Sequence, residues 1–145
     1  MKNEKEETIL KKLKKKRKEA INSAGKKYYS ISVKQIKEIA GKFQLPSRKI
    51  EISALQNNII PERYQRNLGV VSPSEQIKLL QSKVAIIGAG GLGGTVLELL
   101  TRMGIGQLII ADKDIIEDSN LNRQILSKET NLGQSKAAVS YTHLR

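Results

Sequence analysis

The chain has 145 residues, enough for one modest domain, and with Phe43 and four tyrosines as its aromatic side chains the core must be mainly Ile, Leu and Val. It contains no cysteine, which excludes disulfides and thiolate metal sites within this stretch and fits a reducing, cytoplasmic setting. The formal net charge is +12, no apolar run approaches the roughly 18 residues of a membrane span, and no signal-peptide core follows the first lysines, so neither a membrane nor secretion is expected.

In chain order, residues 1–27 come first, with eleven Lys or Arg against four acids. Ile9, Leu10 and Leu13 stand at helical spacing, and Lys11 to Lys18 is almost wholly cationic. Residues 1–30 therefore read as a basic lysine-rich helix or solvated tail. Such charge attracts nucleic acid, anionic lipid or an acidic protein. It sits outside the glycine-rich half, where residues 84–139 hold five basic groups against six acids, and nucleic acid is not the expected partner. Residues 31–60 read as a small helical unit. Ser32 and Gln35 make a capping box, and Ile36, Ile39, Ala40 and Phe43 follow on one face. Leu45-Pro46-Ser47 breaks the chain, and Ser47 is the expected cap of a second helix carrying Ile50, Ala54 and Leu55. The pair has a helix-turn-helix outline, for which a plain helical cap is the simpler account. Pro61 ends this unit. Ser72-Pro73-Ser74-Glu75 then opens a helix with Ile77, Leu79 and Leu80 on its apolar face.

The pattern changes at Val84-Ala85-Ile86-Ile87, a short apolar run expected of a buried parallel strand. Glycines 88–94 come next, then a helix with Val96, Leu97, Leu99, Leu100 and Met103, stopped by Gly104 and Gly106. Leu108-Ile109-Ile110-Ala111 is a second strand. The class is thus α/β: a Rossmann-like βαβ nucleotide-binding half-domain behind a basic helical N-terminal extension. Gly88, Gly90 and Gly93 have GxGxxG spacing, which serves a tight turn, phosphate approach and helix–sheet packing in that order. Asp112, nineteen residues past Gly93, stands where a carboxylate accepts ribose hydroxyls. These features specify a nucleotide without specifying which.

The segments beyond the second strand narrow the choice. Asp112-Lys113-Asp114 runs into Ser119-Asn120-Leu121-Asn122-Arg123-Gln124, then Gly133-Gln134-Ser135-Lys136. A triphosphate has a use for Arg123 and Lys136 that a dinucleotide lacks. Arg63 and Arg66 in Arg63-Tyr64-Gln65-Arg66-Asn67 add two guanidinium groups. Ser119 has no histidine partner, since His143 is the sole histidine, so no nucleophile–base pair is present.

Taken together, RYQRN at 63–67, GAGGLGG at 88–94, DKD at 112–114, SNLNRQ at 119–124 and GQSK at 133–136 resemble the HesA/MoeB/ThiF family, related to ubiquitin-activating enzymes. The resemblance runs from about Pro61 to Val139. It implies ATP-dependent adenylation of the C-terminal carboxylate of a ubiquitin-like or sulfur-carrier protein, releasing pyrophosphate. It further implies that Gly88, Gly90, Gly91 and Gly93 lie against the ATP phosphates. Asp112 would hold the ribose, Asp114 would belong to the nucleotide site, and Ser119, Asn120, Leu121, Asn122, Arg123 and Gln124 would line it. Lys136 would contact the α-phosphate, and Arg66 would reach the γ-phosphate across a homodimer interface. Arg66, Arg123 and Lys136 are thus the expected catalytic residues.

Family members carry a downstream aspartate for Mg2+, often zinc-binding CxxC pairs, and a crossover loop, none of which is in this sequence. No metal ligand is therefore expected here, zinc belongs to a longer parent only, and the chain reads as an N-terminal fragment, marginally stable and inactive alone. Residues 140–145 resemble translated sequencing adapter and are expected to be a non-native end, His143 included. Three alternatives remain open: a tRNA-carboxylate-adenylating dehydratase of the same superfamily, an NAD-dependent oxidoreductase, and a non-catalytic helical nucleic-acid-binding module.

Overall fold

A computed structural model describes residues 2–22 and 24–143, giving only the backbone for residues 2, 3 and 141–143. The chain divides into two compact units, residues 1–80 and 81–145.

The first unit opens with helix α1 (Lys2–Lys16), followed by strands β1 (Lys18–Ile21) and β2 (Lys27–Ile31). These pair antiparallel, Lys18 opposite Ser30 and Ile21 opposite Lys27. Asn22 makes the turn: its Oδ1 accepts from the amides of Ala24 (3.1 Å) and Lys26 (2.8 Å), and Gly25 supplies a φ of 76°. Helices α2 (Val33–Phe43) and α3 (Ser47–Gln56) then return the chain to strand β3 (Ile59–Pro61), parallel to β2 with Tyr29 opposite Ile59. Parallel pairing needs such a crossover.

Two expectations hold here and three do not. Both helices form where the periodicity places them, and the Ser32–Gln35 capping box is present. Ser47 does not cap α3; Pro46 precedes the helix, no side-chain cap forms, and Ser47 is its first residue. The extension is not purely helical, since it contributes the three-stranded sheet β1-β2-β3. Nor is α1, a helix as one of the two expected forms, solvated on every face. Leu13 is fully buried and Ile9 nearly so, in a cluster with Ile31, Ile36, Ile39, Ile50, Ala54 and Ile59. Two apolar residues one turn apart suffice to bury that stripe, while the lysines keep the opposite face in water.

Beyond β3, a 3₁₀ helix (Glu62–Asn67) leads to helix α4 (Pro73–Gln81). Ser72 and Glu75 cap α4 reciprocally, at 3.3 Å and 2.7 Å. Tyr64, Leu80, Leu55 and Ile60 form a second core cluster.

The second unit is a βαβ unit, as expected. Strands β4 (Lys83–Ile87) and β5 (Gln107–Ala111) are parallel, joined through helix α5 (Gly91–Met103). Gly104, at φ 88°, ends α5. Ile86, Leu108 and Ile110 pack on a core of Ala89, Leu97 and Leu126. The strands were expected to be buried, but they are covered on one face only: Ile87 is 90% exposed and Ile109 54%. Helix α6 (Lys136–His143) ends the described chain and includes part of the expected non-native end; Leu144 and Arg145 lie outside the described residues.

A tail-like α1 and a packed α1 differ measurably. Leu13→Ala should destabilise the first unit by about 2–5 kcal/mol in chemical denaturation, the cost of emptying a fully buried leucine site. A solvated tail would show almost no change.

Candidate nucleotide site

The site in the second unit starts from one close approach. A Cβ placed on Gly93 would lie 1.8 Å from the carbonyl oxygen of Gly88, so no side chain fits there. Gly88 itself has a φ of 94° and donates to the Ala111 carbonyl at 2.8 Å, which ties the turn to the end of β5. The first intrahelical donor of α5 is Gly94, bonded to Gly90 at 2.8 Å. The amides of Gly91, Leu92 and Gly93 therefore have no carbonyl of their own helix, and with the helix dipole they favour an anion. Gly90 caps the helix without a side chain, leaving the approach open.

Asp112 does something that the sequence pattern does not reveal. Its Oδ2 accepts from the Ala89 amide at 2.6 Å and its Oδ1 from the Asp114 amide at 2.8 Å. The carboxylate clasps the glycine turn. Partial burial alone would push its pKa up, but the Ala89 and Asp114 amides and the Lys136 charge outweigh this and hold it below the ordinary value. Lys136 is 90% buried along its side chain and lies 3.3 Å from Asp114 Oδ2, while its amide bonds the Asp114 carbonyl at 3.0 Å. Segment 112–116 is further stitched to 133–136 by Ile116–Gln134 and Gly133–Ile116 backbone bonds at 2.9 and 2.8 Å.

The SNLNRQ segment folds against the start of α5. A Cβ on Gly91 would meet the Arg123 carbonyl at 3.6 Å, one on Gly90 the Gln124 amide at 3.8 Å, and one on Gly94 Leu126 at 3.4 Å. Asn120 is buried and holds the turn by accepting the Glu117 amide at 3.1 Å. Arg123 is exposed; its guanidinium donates to the Ser119 carbonyl and, at 3.0 Å, to Asn122 Oδ1. Ser119 and Asn122 are exposed and Leu121 half-buried. Gln124 is buried beside the glycine turn, and its Oε1 has no hydrogen-bond partner. The glycine turn, Asp112, Asp114 and Lys136 are thus linked in a chain of direct contacts, and Arg123 and Gln124 bring the SNLNRQ segment against the same glycines. Leu126, which wedges against Gly94, belongs to the same construction and was not singled out in the sequence; its only signal was an apolar residue two past SNLNRQ.

Arg66 is carried by the first unit. It is exposed, and among the described residues no hydrogen bond or ion pair engages its side chain. Arg63, the second guanidinium of the RYQRN segment and not among the expected catalytic residues, is committed elsewhere: its Nε lies 3.4 Å from Glu51 Oε1. Burial raises the pKa of Glu51 and the Arg63 charge opposes that shift.

Comparison with known proteins places this architecture. The ThiF family profile matches residues 64–145. The chain belongs to the ThiF family. The match starts within the expected RYQRN segment and extends past Val139. A SAMP-activating enzyme E1 of Haloferax volcanii is 37% identical over 86 residues, 58% of this chain and 32% of that protein. A sulfur carrier protein adenylyltransferase of Thermus thermophilus is 38% identical over 86 residues, again 58% of this chain and 32% of that one. The Escherichia coli tRNA N6-threonylcarbamoyladenosine dehydratase TcdA, solved in complex with ATP, superposes with a TM-score of 0.51 at 31% identity, covering 55% of this chain and 32% of that chain. This ThiF-family chain spans about a third of the length of these relatives.

Gly93→Ala should abolish cooperative unfolding of the second unit, read by hydrogen exchange at Leu97 and Ile110. Gly91→Ala, whose added carbon meets only an ordinary contact, should retain it. Asp112 yields a pH prediction. Its folded pKa is depressed, so its contribution is present above the unfolded pKa and fades as pH falls through the folded one. Between about pH 7 and about pH 3 the wild type should therefore lose more stability than Asp112→Asn. Parallel curves would remove the clasp.

Proposed function

We propose that this chain provides the ATP-binding part of an enzyme that adenylates the C-terminal carboxylate of a ubiquitin-like or sulfur-carrier protein. The observation that carries this is the open, amide-lined start of α5 with Lys136 and Arg123 beside it. A carboxylate oxygen of the carrier attacks the α-phosphorus, the bond from that phosphorus to the bridging oxygen breaks, and pyrophosphate leaves with the electron pair. The protein's part in such a transfer is positioning and charge neutralisation rather than covalent chemistry. In this reading the α5 amides hold phosphate oxygens, Lys136 faces the α-phosphate where charge develops, Arg123 leaves its local carbonyl to fork a phosphate, and Arg66 reaches the γ-phosphate of a second protomer. Asp112 takes the ribose. The reading is supported by the names of the two curated relatives and by the ATP complex of the dehydratase.

In this reading the aspartate that holds magnesium lies outside these residues. Among the described residues no group of three or more His, Cys, Asp or Glu is arranged to hold a metal ion. Among the described residues no helix is long and apolar enough to cross a membrane, and the reading places the reaction in the cytoplasm.

A second reading keeps the chemistry and changes the substrate to a carboxylate on tRNA. The dehydratase's name and the nineteen Lys or Arg against eight acids in residues 1–80 favour it. The helical nucleic-acid-binding module is less well supported, because a groove between α1 and α3 sets the acids Glu6 and Glu7 beside Lys49, Ser53 and Gln56 of the second helix of the pair.

Thermal unfolding separates the nucleotide readings. ATP should raise the midpoint and NAD should not; the reverse would restore the oxidoreductase. In the intact gene product, Lys136→Ala should lower carrier-dependent ATP–pyrophosphate exchange by roughly a hundredfold or more, the scale for losing one preorganised charge partner. Exchange driven by tRNA in place of a carrier would select the second reading.

A further inference from the structure

The segment Arg63-Tyr64-Gln65-Arg66-Asn67 is held from both ends and from its middle, and Arg66 is left outward. At the start, Arg63 Nε meets Glu51 Oε1 at 3.4 Å, and the Glu51 side chain is 95% buried on the inner face of α3. In the middle, Tyr64 is buried against Leu55, Ile60 and Leu80; burial and the Glu51 charge push its hydroxyl up to about 12, with Arg63 opposing. At the end, Asn67 Nδ2 donates to Oε1 of the buried Gln76 at 3.1 Å, and the Asn67 carbonyl accepts from Val70 and Val71 at 3.0 and 2.9 Å.

A six-residue 3₁₀ helix has poor internal hydrogen-bond geometry and does not hold its own position. Side chains from α3 and α4 therefore decide where it sits. Among them Glu51 is the costly choice. A buried carboxylate paired with one guanidinium adds little net stability, and its best-attested use is to fix register. Arg63 is itself half-exposed, so the pair is anchored at its acidic end.

We propose that Glu51 is a positioning residue: through Arg63 it fixes the 62–67 helix and so sets the place from which Arg66 is presented to the reacting phosphates. The proposal rests on the adenylation reading above. It makes the helical region ahead of the nucleotide-binding part a working portion of the enzyme rather than an appendage.

The test is a double-mutant cycle in the intact gene product, read by ATP–pyrophosphate exchange against ATP concentration. Arg66 would act on charge that grows as pyrophosphate departs, so displacing it lowers kcat rather than raising KM. Glu51→Ala should cut kcat about tenfold with KM for ATP within about twofold, the scale expected of a displaced charged group. Glu51→Gln, which keeps an acceptor oxygen for Arg63, should fall between Glu51→Ala and wild type. It also leaves no buried charge, so it carries the test if Glu51→Ala does not fold. On an Arg66→Ala background, neither Glu51 change should lower kcat further. Equal losses on both backgrounds would make Glu51 merely structural and overturn the proposal, as would full activity of both Glu51 variants. An Arg66→Ala enzyme with normal exchange removes the role of Arg66 and the proposal with it, while the adenylation reading stands. Absence of exchange in the wild type overturns the adenylation reading itself.

Discussion

The carbonyl of Gly88 lies where the first carbon of any side chain at Gly93 would have to go, and the second unit is arranged around that contact. Because the turn can come this close to the helix, only three residues separate the end of β4 from the start of α5, whose first amides have no carbonyl of their own helix. The Asp112 clasp on Ala89 then fixes the turn against β5. Once turn and helix start are fixed, the 119–126 segment has a defined surface to settle on, with Leu126 against Gly94 and Gln124 against Gly90. Arg123 stands on that surface, and Lys136, at the start of α6, is held against the 112–116 loop through Asp114. A single steric tolerance therefore connects local backbone, packing and the electrostatics of the site.

What could be read from the chain beforehand was local. Ser32 with Gln35 and Ser72 with Glu75 mark helix starts because both partners of each bond lie within four residues. The strands around Val84 and Leu108 are legible because apolar runs this short, bounded by glycine, have few other uses. The sheet of the first unit was not legible for the opposite reason. Lys18-Glu19-Ala20-Ile21 has no strand-like composition and becomes a strand by pairing with Lys27–Ile31. The turn residues Asn22 and Gly25 were the available signal, masked by the surrounding lysines. The burial of Leu13 escaped in the same way: charge density described the outer face of α1 and said nothing of its inner stripe.

The site divides along the same line. Spacing brought the glycines, Asp112, SNLNRQ and Lys136 to notice, and contacts in the structure bring them together. Spacing could not separate Arg63 from Arg66, two identical side chains three residues apart. Their difference is made by Glu51, twelve residues upstream, on a helix whose pattern marks that position as neither apolar nor special. Nor could spacing show that Asn120 and Asn131 are spent on holding turns, since a buried amide that caps a loop and one that binds a ligand look alike in sequence.

Asp112 shows how structural and ligand roles share one side chain. Each of its oxygens accepts one backbone amide, and a carboxylate oxygen has two acceptor sites, so each retains a second. The clasp therefore does not compete with the proposed ribose contact; it prepares it. The two amide bonds fix the rotation of the carboxyl group and keep it ionised, the state in which it accepts from hydroxyls and never donates. A carboxylate left free at the same strand end would have to lose rotamer freedom on binding, whereas this one has already lost it on folding. By the same logic Asp114 steadies Lys136, whose ammonium would otherwise be buried without a counter-charge. Preorganisation here consists of acids placed to hold amides and an ammonium.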